Sequence, residues 1–143
     1  IDELFSGNIF NNTIVKRANT MESIVAINDG DGNFSIKKLP PRTQLSCMNS
    51  ILAIDVNNDN LKDIIMGGNN YEFKPQFSRL DANYGSVLFN NKGKGFEWQD
   101  YLKTGFFTKG QVKHIDHYKN KAGDSFIIVV KNNKKPEIFK LKK

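Results

Sequence analysis

Ile51-Leu52-Ala53-Ile54-Asp55-Val56-Asn57-Asn58-Asp59-Asn60-Leu61-Lys62-Asp63-Ile64-Ile65-Met66 is the stretch that decides how the chain reads. Its two ends are short apolar runs of strand length, and its middle is nine residues dominated by Asp and Asn. Side-chain oxygens stand at loop positions 1, 3, 5 and 9 (Asp55, Asn57, Asp59 and Asp63), and Leu61 at position 7 offers a backbone carbonyl. A hard cation such as calcium takes about six to eight oxygens in a forgiving geometry. Alternating donors on a tightly curled loop provide that, with water filling the remainder. Magnesium suits the loop less well, because it demands strict octahedral geometry and keeps its waters. Three carboxylates brought together repel one another, so a cation favours the folding of the loop itself. The candidate calcium ligands are therefore Asp55, Asn57, Asp59, Leu61 and Asp63. An EF-hand would need Glu at its twelfth position and helices on both flanks; here the twelfth residue is Met66 and the flanks are strands. The competing reading is an Asn/Asp-rich hairpin turn without an ion, since these side chains hydrogen-bond their own backbone. Asn60 stands where such loops carry glycine, and Asn tolerates the left-handed conformation that position needs.

Outward from this stretch the chain is strand-like almost throughout. Ile24-Val25-Ala26-Ile27, Ser86-Val87-Leu88-Phe89 and Phe126-Ile127-Ile128-Val129-Val130 are short, β-branched or aromatic, and bounded by Gly, Asn or Asp. Asp29-Gly30-Asp31-Gly32-Asn33 and Asn91-Lys92-Gly93-Lys94-Gly95 carry hairpin-turn chemistry. A weak helical pattern lies around Asn11 to Met21. The order also repeats. Ser23 through Phe34 reads against Ser86 through Phe96, and Met66-Gly67-Gly68-Asn69-Asn70 against Val129-Val130-Lys131-Asn132-Asn133. Ile54-Asp55 with Asp63 reads against Ile115-Asp116 with Asp124. A unit of about 62 residues thus occurs twice: strand, Gly-rich turn, strand, linker, strand, acidic loop, strand. Four strands per unit is the anatomy of a β-propeller blade, and propellers close with about 4–8 of them. The expected architecture is all-β, a propeller fragment of about two four-stranded antiparallel blades. Residues 1–22 would end a preceding blade or connect to it, 23–85 would form the blade with the calcium loop, and 86–143 a C-terminal blade. The second acidic copy, Asp116 to Asp124, keeps positions 1, 5 and 9 but carries Tyr118, Lys119 and Lys121, and reads as a degenerate loop that holds no metal.

The 143 residues suffice for one domain with a core, and the 38% hydrophobic and 25% charged content describes a soluble globular chain. No apolar run approaches the ~20 residues of a membrane span. A start at Ile1-Asp2-Glu3, without Met or leader, suggests a processed product or a piece of something longer. The lone Cys47 excludes an internal disulfide and reads as a small buried apolar residue. Charge is uneven: residues 1–72 hold 6 Lys/Arg against 9 Asp/Glu, and residues 73–143 hold 15 against 6. The lysines are scattered singly with no Arg-rich run, which reads as a solvated surface and not as a nucleic-acid interface.

Other candidates have ordinary readings. Arg79 and Asp81 sit in a long segment that could present a ligand loop, or could form an ion pair with Tyr84 pinning the segment down. His114 and His117, three apart on a strand, would face opposite sides. Trp98, Phe96 and Tyr101 could make a sugar-stacking platform or simply pack. No Ser–His–Asp order, paired catalytic carboxylates or phosphate loop stands out.

With repeat and loop together, the chain resembles the FG-GAP/VCBS-repeat family of extracellular β-propellers, most like the C-terminal blades of the bacterial proteins related to cartilage acidic protein. The matching residues are Ile27 through Phe34, Asp55-Val56-Asn57-Asn58-Asp59 through Asp63, Met66-Gly67-Gly68-Asn69, Arg79-Leu80-Asp81-Ala82-Asn83-Tyr84-Gly85, Thr104-Gly105-Phe106-Phe107 and Gly110-Gln111-Val112. The resemblance implies a seven-bladed propeller whose other blades are missing from this chain. It also implies calcium in the blade loops, a cell-surface, outer-membrane-associated or secreted location, and no enzyme activity. The expected function is a calcium-binding interaction module with a protein or glycan partner and no nucleic acid. The alternative is a non-catalytic propeller part of a larger secreted polysaccharide-active enzyme.

Overall fold

The structure, a computed structural model, describes residues 16–142 together with 4 and 14. Among these, nine strands build three antiparallel sheets in chain order. The first is the hairpin β1 (Ile24–Asn28) and β2 (Phe34–Lys38). The second is a meander of β3 (Met48–Ile54), β4 (Asp63–Gly68), β5 (Ser86–Asn90) and β6 (Phe96–Gln99). The third is β7 (Val112–Lys119), β8 (Ser125–Lys131) and β9 (Glu137–Lys140). The all-β expectation holds, and no sheet closes on itself among the described residues. No helix among them is long and apolar enough to cross a membrane, which leaves strand-built spans unaddressed.

Alternation along the central sheet explains how the sheets stack. On β4 and β5, Ile65 and Val87 point to one face, Met66 and Leu88 to the other, and all four are buried. Ile65 and Val87 join Val112, Ile115, Ile127, Val129 and Phe106 in a core against the third sheet. Met66 and Leu88 join Leu39, with Val25, Phe96 and Trp98 packed around them, in a core against the first. Each such aliphatic side chain stabilises by roughly 1.5–3 kcal/mol, so the central sheet, covered on both faces, carries the fold.

At their inner edges the second and third sheets are laced together by side chains. The Asn49 amide donates to the Val112 carbonyl at 2.9 Å, and the Ser50 hydroxyl oxygen accepts the Ile115 N–H at 2.8 Å. The repeat is visible here. Both β3 and β7 carry a bulge at the same place, between Met48 and Ser50 and between Val112 and His114. Behind each bulge a backbone clasp recurs, Asn69 N–H to the Cys47 carbonyl (2.9 Å) and Asn132 N–H to the Gln111 carbonyl (2.8 Å).

Four expectations change. The sheets are framed half a unit out of step with the sequence repeat, because β4 pairs across the linker with β5 and not with the β1–β2 hairpin. The second acidic copy is not a nine-residue loop. Asp116 to Lys119 continue β7, paired with Ile128 to Ser125, and only residues 120–124 turn, closed by Asn120 N–H to the Asp124 carbonyl (2.9 Å). Residues 16–21 are not helical, while 11, 12, 13 and 15 lie outside the described residues, as does most of the expected 1–22 segment. A short helix, α1 (Tyr101–Thr104), appears instead; the Asp100 carboxylate caps the Leu102 N–H at 2.8 Å, and Gly105 ends the helix at φ 70°. Cys47 is half-buried, not fully enclosed.

Candidate functional site

Residues 55–62 connect β3 to β4, and their own side chains curl them. Asp55 accepts the Asp59 N–H on Oδ1 (3.2 Å) and the Asn60 N–H on Oδ2 (2.9 Å). The Asn57 side-chain Oδ1 also accepts the Asp59 N–H at 3.0 Å, and Asp59 Oδ1 accepts the Leu61 N–H at 2.8 Å. The backbone therefore wraps around the Asp55 carboxylate in successive Asx turns. Asn58 and Asn60 supply the left-handed residues this curl needs, at φ 62° and 66°.

Asp63 is placed differently from the other expected ligands. It opens β4 and is fully buried, while Asn57 and Asp59 are exposed and Asp55 and Leu61 half-buried. Its Oδ2 accepts the Val56 N–H at 3.0 Å and its Oδ1 the Asn90 N–H at 2.9 Å. One carboxylate thus ties the start of the loop to the end of β5. Both donors are neutral backbone amides, and Asp63 has no ion pair among the described residues. An unpaired buried carboxylate is costly, and each of its oxygens still has a lone pair free. Among the described residues no three His, Cys, Asp or Glu side chains are gathered as a group that could hold a metal. The five donors expected from the sequence include three carboxylates, Asp55, Asp59 and Asp63, which are not brought together as one such group; the Asn57 amide oxygen and the Leu61 carbonyl complete the set.

No family model, curated protein or solved structure matches this chain.

The other sequence candidates resolve one by one. Arg79 does not pair with Asp81; its guanidinium lies over the Tyr71 ring at 5.0 Å. Tyr84, at the end of that segment, stacks on Phe107 at 5.4 Å, and its carbonyl accepts the Thr108 N–H at 3.0 Å. Phe96 and Trp98 pack on the Met66–Leu88 core, with Arg42 over the indole, whereas Tyr101 lies against Phe107, so the three make no common platform. His114 and His117 sit on opposite faces of β7, paired with Val130 and Ile127. His117 lines a small cavity beside Asp55 and Asn58.

Sequence reasoning missed the polar knot at the far end of the third sheet. The Lys131 ammonium, almost fully buried, pairs with Glu137, which also accepts the Thr108 hydroxyl at 2.6 Å. Lys131 sits on β8 and Glu137 on β9, six residues apart across a turn, a separation with no sequence signature. Burial pushes the Glu137 carboxyl up, but the hydrogen bonds from Lys131 and Thr108 and the Lys131 charge outweigh it, leaving it below its ordinary value of 4.5. A depressed folded-state value means stability that is full above pH 4.5 and lost as pH falls through the lower folded value. Glu137→Gln is expected to lower stability at neutral pH by roughly 1–3 kcal/mol, because the buried ammonium loses its counter-charge. Its stability curve should also be flatter than wild type on the acid side, as read from urea midpoints across pH. Parallel acid limbs would remove Glu137 from the account.

Proposed function

We propose that this chain is a stretch of a longer run of stacked sheets, of β-propeller type, that serves as a non-catalytic interaction module and takes a calcium ion in its 55–63 loop. Support for continued stacking comes from the two outer faces. The first sheet turns Ile24, Phe34 and Ile36 to solvent at 41%, 59% and 57% exposure. The third leaves Val130 and Ile138 at 43% and 66%. Apolar sheet faces normally meet another layer. The extracellular setting and the protein or glycan partner belong to the same proposal and rest on the repeat and the loop.

The observation that carries the calcium reading is Asp63. A fully buried carboxylate with only neutral partners sits at the root of a loop bearing two more carboxylates, and a divalent cation would supply the missing charge. Asp55, Asn57, Asp59, Leu61 and Asp63 would hold it, and its role would be to lock the β3–β4 connection.

Thermal unfolding of the chain in millimolar calcium against chelator tests this. At a calcium concentration near 100 times Kd the gain is about 2.7 kcal/mol, or roughly 5–10 °C for a chain of this size. Asp59→Ala should remove the gain while leaving the melting point in chelator nearly unchanged, since Asp59 is exposed. Identical wild-type melting with and without calcium overturns the reading.

A further inference from the structure

We infer that the cleft between the 71–79 loop and the 109–137 end of the third sheet binds an acidic sugar unit of an anionic polysaccharide through Arg79, Lys109 and Lys134. The inference rests on the interaction-module reading above but not on calcium. The cleft has a volume of about 450 Å³, within the roughly 300–1,000 Å³ range of small-ligand sites. Tyr71, Arg79, Lys109, Lys131, Lys134 and Glu137 are among the residues that line it. Glu137 is the one carboxylate on its walls, and it is already matched by Lys131. The nearby Glu72 pairs with Lys113 at 3.5 Å. Arg79, Lys109 and Lys134 form no ion pair among the described residues, so three cations face one concavity without a counter-charge.

The cleft is held in shape. The loop that carries Arg79 is closed at its base by a two-way bridge, Asn70 N–H to the Leu80 carbonyl and Leu80 N–H to the Asn70 carbonyl, both 2.9 Å. Buried Asn69 then bonds that base to the backbone of Asn83 and of Gly110, which adjoins Lys109. Ser78, next to Arg79, is held at φ 59°, ψ −158°, a region almost confined to glycine. The Arg79 guanidinium lies over the Tyr71 ring, and its planar fork of donors matches the two oxygens of a carboxylate.

A sugar, in preference to a nucleic acid or a lipid surface, follows from what adjoins the cleft. Lys109 lies 5.8 Å and 5.7 Å from the Tyr84 and Phe107 ring centres, and these rings form an exposed stacked pair with Tyr101 tilted against it. One lysine thus joins a carboxylate-binding concavity to an aromatic patch on which the apolar face of a neighbouring sugar can rest. The cations converge on one pocket and do not run along a stripe spaced for successive phosphates.

Calorimetric titration with a galacturonate trimer, in chelator and moderate salt, tests this. The wild-type chain should bind, Arg79→Ala should weaken binding about tenfold or more, and Arg79→Lys should restore only part. Lys134→Ala gives a second, milder loss, and stands in should Arg79→Ala fail to fold. Phe107→Ala should bring the trimer down toward the affinity of the monomer. Arg42→Ala, outside the cleft, should change nothing. Equal losses from Arg79→Ala and Arg42→Ala, or a thymidine oligonucleotide of equal charge binding as tightly, would overturn the inference as mere polyanion attraction. No trimer binding in a chain that still gains stability from calcium would overturn the cleft and leave the loop reading intact.

Discussion

Gly68→Ala is expected to destabilise the chain by about 3 kcal/mol or more, a large part of the 5–15 kcal/mol that holds a typical domain together. A Cβ on Gly68 would stand 1.7 Å from the Cys47 carbonyl oxygen and 2.6 Å from its carbon. Those are backbone atoms, which cannot swing aside as a side-chain tip can. The same carbonyl accepts the Asn69 N–H, so moving it away also opens the clasp that seats the start of β3 over the end of β4. Lys131 stands at the corresponding place of the second clasp, so the hydrogen bond alone does not demand glycine; the closeness of the Cys47 carbonyl does. Gly67→Ala supplies the contrast. The nearest atoms to its Cβ would be Val112 and Ile115 methyl groups at 3.0–3.1 Å, and repacking these should cost about 1–2 kcal/mol. Urea midpoints that place the two alanine variants level would show that the clasp yields easily.

That pair of glycines marks where the sequence was readable and where it was not. The runs at Ile24, Ile51, Ile64, Ser86 and Phe126 all became strands, because β-branched alternation bounded by turn residues is a local property. The Gly-rich stretches became hairpin turns for the same reason, with Asp29 N–H bonded to the Asn33 carbonyl and Asn91 N–H to the Gly95 carbonyl. Which strands pair is not local. The step from β4 to β5 spans the long 69–85 linker, and nothing in the alternation of either strand names the other as neighbour. The acidic loop was legible as spacing, and its left-handed Asn60 was anticipated. That Asp63 is buried under β5 follows from the Asn90 contact 27 residues on, which no spacing encodes. In the second copy the matching of Asp116 to Asp55 compared acid with acid, while strand pairing carried β7 past Asp116 to Lys119.

The cleft residues show the same division. Arg79 is conspicuous in the sequence beside Asp81, yet its guanidinium lies over Tyr71, eight residues back across a closed loop. Lys109 and Lys134 read in the sequence as two of many singly scattered lysines. Only the folding of three separate segments onto one concavity distinguishes them from the other lysines of residues 73–143.

Asn69→Ala joins these threads and carries the second large effect, about 3–5 kcal/mol. The Asn69 side chain is 1% exposed and makes three hydrogen bonds. It donates to the Asn83 carbonyl at 2.7 Å and the Gly110 carbonyl at 3.0 Å, and it accepts the Asn83 N–H at 2.9 Å. Truncation strands the two buried backbone groups of Asn83 and the part-buried Gly110 carbonyl, each buried group costing about 1–3 kcal/mol, with partial relief as water enters. A further increment of roughly 1 kcal/mol comes from the backbone, since Asn69 sits at φ 80° and alanine resists that conformation. Asn69→Gly separates the two contributions: it keeps the conformation and loses the bonds, so it should fall between wild type and Asn69→Ala. Because this side chain connects the base of the Arg79 loop to the segment bearing Lys109, both variants should also weaken galacturonate binding under conditions where the chain remains folded. A glycine variant as stable as wild type would mean that the three bonds contribute nothing net, and the loop would then need another anchor.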